Sequence, residues 1–181
     1  MTDKERIYCE LLVLRCSRGD KGAFEELIRL WENKLFYYIR RLVTSEEEAW
    51  DILQETWIKV FQSVGSLKNP DALPSWLYSI ARHSAMDHWR DRFADVRTEK
   101  MDEDVLLEIP DDKTPDFDNA ERVHRGLDRI SLSHREVLTL FFLEDFSIEE
   151  IASILIIAPG TVKSRLHYAK RALRLVLEKE V

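Results

Sequence analysis

Between Ile151 and Leu177 the chain carries Lys163, Arg165, Lys170, Arg171 and Arg174 and not one Asp or Glu. The formal net charge of the 181 residues is −7, so a one-signed cationic stretch stands out against its own chain. Solvated helix faces ordinarily mix both signs for solubility and pairing. A stretch that keeps only cations is suited to a polyanion such as a phosphate backbone. At about 100° per residue, Val162, Leu166, Ala169 and Leu173 fall on one apolar stripe of a helix. Gly160, Ser164, His167, Tyr168 and Arg171 fall opposite, with Thr161 and Lys163 on the flanks. One side is then available for burial and the other for the edges of bases in a major groove. The spacing makes Thr161, Lys163, Ser164, His167 and Tyr168 the candidate base readers. Arg165, Lys170, Arg171 and Arg174 are the candidate phosphate contacts, which position a protein without specifying sequence.

Other chemistry finds less support. His83, Asp87 and His88 have a helical spacing that could hold a metal or act as acid and base, but no third protein ligand accompanies them. The chain has no Gly-rich phosphate loop and no Gly-x-Ser-x-Gly elbow. No catalysis, cofactor, metal or small-molecule substrate is therefore expected. Cys9 and Cys16, seven residues apart, would share one side of a helix too far apart to bridge. They read as small core-facing thiols.

The elements that must position the cationic stretch are also legible. Ser147 and Glu150 form a capping box that opens one helix, and Pro159 suits the first position of the next. Helix, tight connection and helix in that order make a helix-turn-helix, and the stretch is expected to read DNA. Ahead of it, Ala120, Val123, Leu127 and Ile130 make a helix, and Ser133 with Glu136 is expected to cap another carrying Val137, Leu138, Phe141 and Phe142. In the first half, Phe24, Leu27, Ile28, Trp31, Leu35, Tyr38, Ile39 and Leu42 recur at three and four behind Asp20 as N-cap. Ser45 and Glu48 form a second capping box, followed by Trp50, Leu53, Trp57, Val60, Phe61 and Val64. A break from Gly65 through Pro74 precedes a helix containing Trp76, Leu77, Ile80, Ala81 and Trp89, and a short helix covers about Ile7 to Cys16. Trp50, Trp57 and Trp76 fit the apolar period of their helices and read as core.

Bulk composition agrees with an all-α chain. Apolar residues make up 45% and charged residues 34%, with five Gly and five Pro, too few for a turn-rich β fold. Residues 95–121 hold eleven acids against Arg97, Lys100 and Lys113, a net −8, so the remainder of the chain carries +1. This segment contains Pro110 and Pro115 and no sustained apolar period. The expected organisation is a helical domain over residues 1–92, an acidic flexible linker over 93–118 and a helix-turn-helix domain over 119–181. No apolar run approaches the ~20 residues that span a bilayer, and no signal core follows the N-terminus, so a cytoplasmic protein is expected.

Both halves resemble extracytoplasmic-function sigma factors, the compact branch of the sigma-70 family. The resemblance is carried by Gly19-Asp20, Ala23-Phe24, residues 51–61 (DILQETWIKVF), residues 76–82 (WLYSIAR) and Asp87 in the first half. In the second it is carried by Leu132-Ser133, residues 135–137 (REV), residues 149–152 (EEIA) and residues 160–166 (GTVKSRL). It covers nearly the whole chain in order. It implies that residues 51–61 grip core RNA polymerase, with Asp51, Gln54, Glu55 and Lys59 as contacts. The loop 67–75 and the helix after it would capture bases of the −10 element, through Lys68, Asn69, Asp71, Ala72, Leu73, Ser75, Trp76 and His83. Gly160, Thr161, Lys163, Ser164, Arg165, His167, Tyr168 and Arg171 would read the −35 element. The acidic linker would occupy the RNA-exit path. The implied partners are core polymerase, promoter DNA and an anti-sigma factor, membrane-anchored in many members. The chain departs from the family at His83, often Asn; at Leu73, often aromatic; and at Asn69-Pro70-Asp71, which replaces a Gly-containing loop. A ligand-sensing repressor or activator is the competing reading, but the first half offers it no evident pocket.

Overall fold

A computed structural model of the chain describes residues 3–92 and 120–179. The chain divides into two compact units, Met1–Arg92 and Phe93–Val181, and all regular elements among the described residues are helical. The acidic linker expected over 93–118 lies outside the described residues.

The first unit contains α1 (Asp3–Ser17), α2 (Lys21–Leu42), α3 (Glu46–Ser63) and α4 (Leu73–Arg92), with 3-10 turns at Val64–Ser66 and Pro70–Ala72. Asp20 ends the α1–α2 connection as expected. Its Oδ1 accepts the Ala23 amide at 3.1 Å while its Oδ2 accepts from Arg15 Nε at 2.9 Å. Gly19 makes the tight turn before it at φ 80°, where a side chain would be strained. The Ser45–Glu48 capping box is complete: Glu48 N donates to Ser45 Oγ at 3.1 Å and Ser45 N to Glu48 Oε2 at 3.4 Å. Leu27, Leu35, Tyr38 and Ile39 of α2, Ile52, Leu53 and Val60 of α3, and Leu77, Tyr78 and Ala81 of α4 are all buried in this unit. The Tyr38 and Tyr78 rings lie 5.0 Å apart. α4 begins at Leu73, three residues before the expected Trp76, so Pro74 falls in its first turn, where a missing N–H costs little.

The second unit contains α5 (Ala120–Leu127), α6 (Leu132–Leu138), α7 (Ile148–Leu155) and α8 (Pro159–Glu178). A Cβ on Gly126 would stand 2.8 Å from Leu173 Cδ1 and 3.0 Å from Leu177 Cδ2, so glycine lets α5 pack against α8 without displacing these leucine side chains. The expected cap at Ser133 is displaced: Ser131 holds the N-cap position of α6, and Ser133 lies inside the first turn. Glu136, expected at the exposed helix start, is buried. α6 runs into a π-turn over Thr139–Leu143, closed by Glu144 N donating to Thr139 O at 3.1 Å. The Ser147–Glu150 box then opens α7, with Glu150 N on Ser147 Oγ at 3.2 Å and Ser147 N on Glu150 Oε2 at 2.9 Å. α7 ends at Ile156 with φ 57° and ψ 48°, a left-handed conformation that is costly for a β-branched residue.

Candidate functional site

α8 presents the expected division. Val162, Leu166, Ala169 and Leu173 are buried, whereas Gly160, Thr161, Lys163 and Ser164 are exposed. Arg165, His167, Tyr168 and Arg171 are half-buried. Ser164 Oγ donates to Gly160 O at 3.1 Å, which spends its hydrogen and leaves its lone pairs outward. The His167 and Tyr168 rings meet edge to face at 5.3 Å, so the two form one aromatic ledge. The N-cap is Ala158, and no side chain caps the helix. Pro159 in the first turn and exposed Gly160 leave this end of α8 low in profile, which suits close approach to a groove.

The first unit holds the residues implied for the −10 element. Lys68, Asn69 and Asp71 are exposed, and Ala72, Ser75 and Trp76 are half-buried. The Asn69 side chain accepts the Asp71 amide at 3.2 Å, so Asn69 shapes the turn that replaces a glycine-containing loop. Asp71 in turn faces Arg6 of α1 at 3.8 Å. Leu73 is a correction. It is 0% exposed and cannot touch a base, because α4 starts there and its register turns Leu73 inward with Leu77 one turn on. His83 is exposed on α4, and its Nδ1 lies 2.7 Å from the Ser79 carbonyl.

α3 carries the residues implied for polymerase. Asp51 and Gln54 are exposed and Glu55 is half-buried. Lys59 is turned inward to a different task. Its Nζ lies 3.0 Å from Glu55 Oε1 and 3.0 Å from Asp87 Oδ2, tying α3 to α4. Partial burial works against its charge, but the bonds to Glu55 and Asp87 outweigh this and raise its pKa. Lys59 correspondingly holds the Asp87 carboxyl below the ordinary range, helped by Arg90. Sequence periodicity misassigned two aromatic residues. Trp50 is 46% exposed, stacked on Phe36 at 4.2 Å, and Phe61 is 60% exposed, edge-on to Phe24 at 5.1 Å. With Ile58, also exposed, they add an apolar component around Gln54 that sequence reasoning assigned to the core or passed over. The i, i+4, i+8 spacing of Trp50, Gln54 and Ile58 was the available signal. Trp57 is buried as expected and Trp76 only half-buried.

Cys9 is buried and Cys16 half-buried, and desolvation raises the pKa of both thiols, as inert core cysteines require. Among the described residues no three His, Cys, Asp or Glu side chains gather as a metal site. No helix there is long and apolar enough to cross a membrane.

Fold and surfaces thus define a two-part helix-turn-helix protein. Sigma-70 region 2 matches residues 27–93, and Sigma-70, region 4 matches residues 120–173. The chain is 32% identical to RNA polymerase sigma-H factor of Pseudomonas aeruginosa over 92% of each chain. It is 36% identical to ECF RNA polymerase sigma factor SigL of Mycobacterium tuberculosis over 80% of this chain and 82% of that one. The solved structure of the sigma factor RpoE with the anti-sigma factor NepR from Bartonella quintana superposes with a TM-score of 0.68 at 25% identity, covering 86% and 96% of the two chains. CnrH, solved with the cytosolic domain of CnrY, shares the fold with a TM-score of 0.70 at 19% identity, covering 96% and 99%. The chain belongs to the sigma-70 family and is an RNA polymerase sigma factor of the extracytoplasmic-function class.

Proposed function

We propose that residues 1–92 bind core polymerase and open the −10 element, that 93–118 form an acidic linker, and that 119–181 read the −35 element. The observation that carries this division is the outward face of α8, where Gly160, Thr161, Lys163 and Ser164 are exposed and no acid lies between Pro159 and Leu177. That face can set Thr161, Lys163, Ser164, His167 and Tyr168 against base edges while Arg165, Lys170, Arg171 and Arg174 meet backbone. A phosphate can also take the place of the missing cap at Ala158. On α3, Trp50, Ile58 and Phe61 with Asp51, Gln54 and Glu55 offer a mixed apolar and acidic surface suited to a protein, with Lys59 holding α3 against α4. Lys68, Asn69, Asp71, Ala72, Ser75, Trp76 and His83 serve the −10 element, and Leu73 anchors them from the core.

Such a subunit performs no chemistry and uses no cofactor. Its binding energy for unpaired bases must offset the stacking lost on opening, a few kcal/mol per step. The site of action is the cytoplasm, where polymerase works. The RpoE relative seen with its anti-sigma factor NepR supports an anti-sigma partner for this chain too, membrane-anchored or not. Run-off transcription with core polymerase and purified chain on genomic fragments tests the proposal. Discrete chain-dependent transcripts sharing two spaced elements are expected. A specific DNA shift by the chain alone, with no transcript when polymerase is added, would instead indicate a conventional repressor or activator.

A further inference from the structure

We infer that the outward side of α1 is a docking seam for an amphipathic helix of another protein, one whose apolar stripe is closed by an acid at each end. Ile7, Leu11 and Leu14 are 59%, 50% and 51% exposed. Their spacing of four and then three sets them in one line, the alternation of a coiled-coil seam. A single exposed leucine is ordinary on a protein surface, whereas an unbroken row marks a place of contact. Rotating α1 cannot hide the row, because Cys9, Leu12 and Val13 already fill its buried side. The helix is also pinned about its axis. Tyr8 donates to Glu26 Oε2 at 2.7 Å, and Arg15 Nε donates to Asp20 Oδ2 at 2.9 Å.

The charges around the row choose the occupant. The same alternation places Lys4 before Ile7 and Arg18 after Leu14, both exposed and about 21 Å apart along the axis. Among the described residues neither side chain has a partner. Arg6 is spent within the unit on Glu10 and Asp71, and Arg15 on Asp20 and Glu26. A second copy of this chain fits poorly, since the two cations lie symmetrically about Leu11. Antiparallel pairing would set Lys4 against Arg18, and parallel pairing would set each against its own kind. An anionic bilayer fits poorly too, because Glu10 borders the row on one side and Glu26, held by Tyr8 and Arg15, borders it on the other. A helix with apolar side chains along its seam and Asp or Glu two heptads apart suits both the row and its ends.

Two synthetic helical peptides of about three heptads test this, both with leucine along the seam, one ending the seam in Glu and the other in Lys. Their binding to the purified full chain is read by fluorescence anisotropy. The parent should prefer the Glu-ended peptide by roughly three- to tenfold, the worth of two exposed charge pairs. Leu11→Gln should weaken that peptide by about tenfold or more, the worth of one buried leucine, with an unchanged thermal midpoint. Replacing Lys4 and Arg18 together by Glu should reverse the order of the two peptides. Trp50→Ala should bind both peptides as the parent does, and Leu11→Gln should keep the parental affinity for core polymerase, which separates this seam from α3. Equal binding of the two peptides, or binding that Leu11→Gln does not alter, would overturn the inference. Three other results would overturn it by naming a different occupant. A dimer of the parent that Leu11→Gln dissociates would make the seam a self-contact. Binding to phosphatidylserine vesicles that depends on Leu11, with no preference between peptides, would make it a lipid surface. Loss of polymerase affinity in Leu11→Gln would make it an extension of the polymerase face.

Discussion

Helices α3 and α8 each bury an apolar stripe along one side and turn the other side outward. Their inward faces are interchangeable in kind: Ile52, Leu53 and Val60 on α3, Val162, Leu166 and Leu173 on α8. Their outward faces are not. α3 shows Trp50, Ile58 and Phe61 beside Asp51, Gln54 and Glu55, while α8 shows Thr161, Lys163, Ser164 and, half-buried, Arg171. Aromatic groups in a partly acidic setting gain by being desolvated against another protein. Cations and hydroxyls without apolar bulk gain by replacing counterions and by hydrogen bonding to groove edges, Lys163 as donor and Ser164 as acceptor. The inward face of each helix is set by its own fold, and the outward face by what it has to meet.

The largest effect should come from the apolar side of this contrast. Trp50→Ala should cost about 2 kcal/mol or more of affinity for core polymerase, the scale of a buried aromatic anchor, with no change in −35 preference. Replacing Gln54 with Ala and Glu55 with Lys should also reduce co-purification with core enzyme while the helical circular-dichroism signal persists. Unchanged polymerase affinity in both proteins would show that this face of α3 serves another purpose.

Next in size is the cationic side. Lys163→Ala should cost about 1–3 kcal/mol and relax preference at one −35 position, whereas Arg171→Ala should weaken all sequences alike and lower the salt slope by about one. Base-by-base holoenzyme affinities at two salt concentrations separate these outcomes, and equal losses everywhere for Lys163→Ala would make α8 a phosphate clamp. A smaller effect belongs to the turn between α7 and α8. Ile156 is 68% exposed and left-handed, so Ile156→Gly removes strain at little packing cost and should stabilise the second unit by about 1 kcal/mol. A lower midpoint in chemical denaturation would mean the side chain makes contacts worth more than the strain.

The smallest effect is the tie between α3 and α4. The Asp87 carboxyl is held below its ordinary range, so its contribution is present above about pH 4 and is lost as pH falls through the lowered folded value. Thermal midpoints of the parent should therefore drop more steeply in acid than those of Asp87→Asn. Parallel curves would leave the tie without weight.

Much of this was legible because it is local. The caps at Asp20, Ser45 and Ser147 depend on residues three apart, and the stripe of α8 on spacing along one helix. What failed needed the rest of the fold. Periodicity finds apolar residues near a stripe but cannot say whether those at its margin, Trp50 and Phe61, face the core or a partner. The resemblance places Leu73 among the base contacts as part of the loop 67–75, but α4 already begins at Leu73 and its register turns that side chain inward, and helix ends are the least constrained by sequence. Lys59 reads as a surface contact until Asp87, twenty-eight residues away, is brought to its side. The cap expected at Ser133 falls two residues late: the helix starts after Ser131, which lacks a Glu three residues on and makes no side-chain capping bond, so the local pattern points to the wrong serine.

The central claim is that the two outward faces serve two different partners, and one paired measurement tests it most directly. Polymerase affinity and −35 base preference are determined for Trp50→Ala and for Lys163→Ala in the full chain, with holoenzyme formed at saturating protein for the second reading. The account predicts a crossed result: Trp50→Ala loses polymerase affinity and keeps the parental −35 profile, and Lys163→Ala keeps polymerase affinity and changes that profile. Loss of polymerase affinity in Lys163→Ala, or an altered −35 profile in Trp50→Ala, would contradict it.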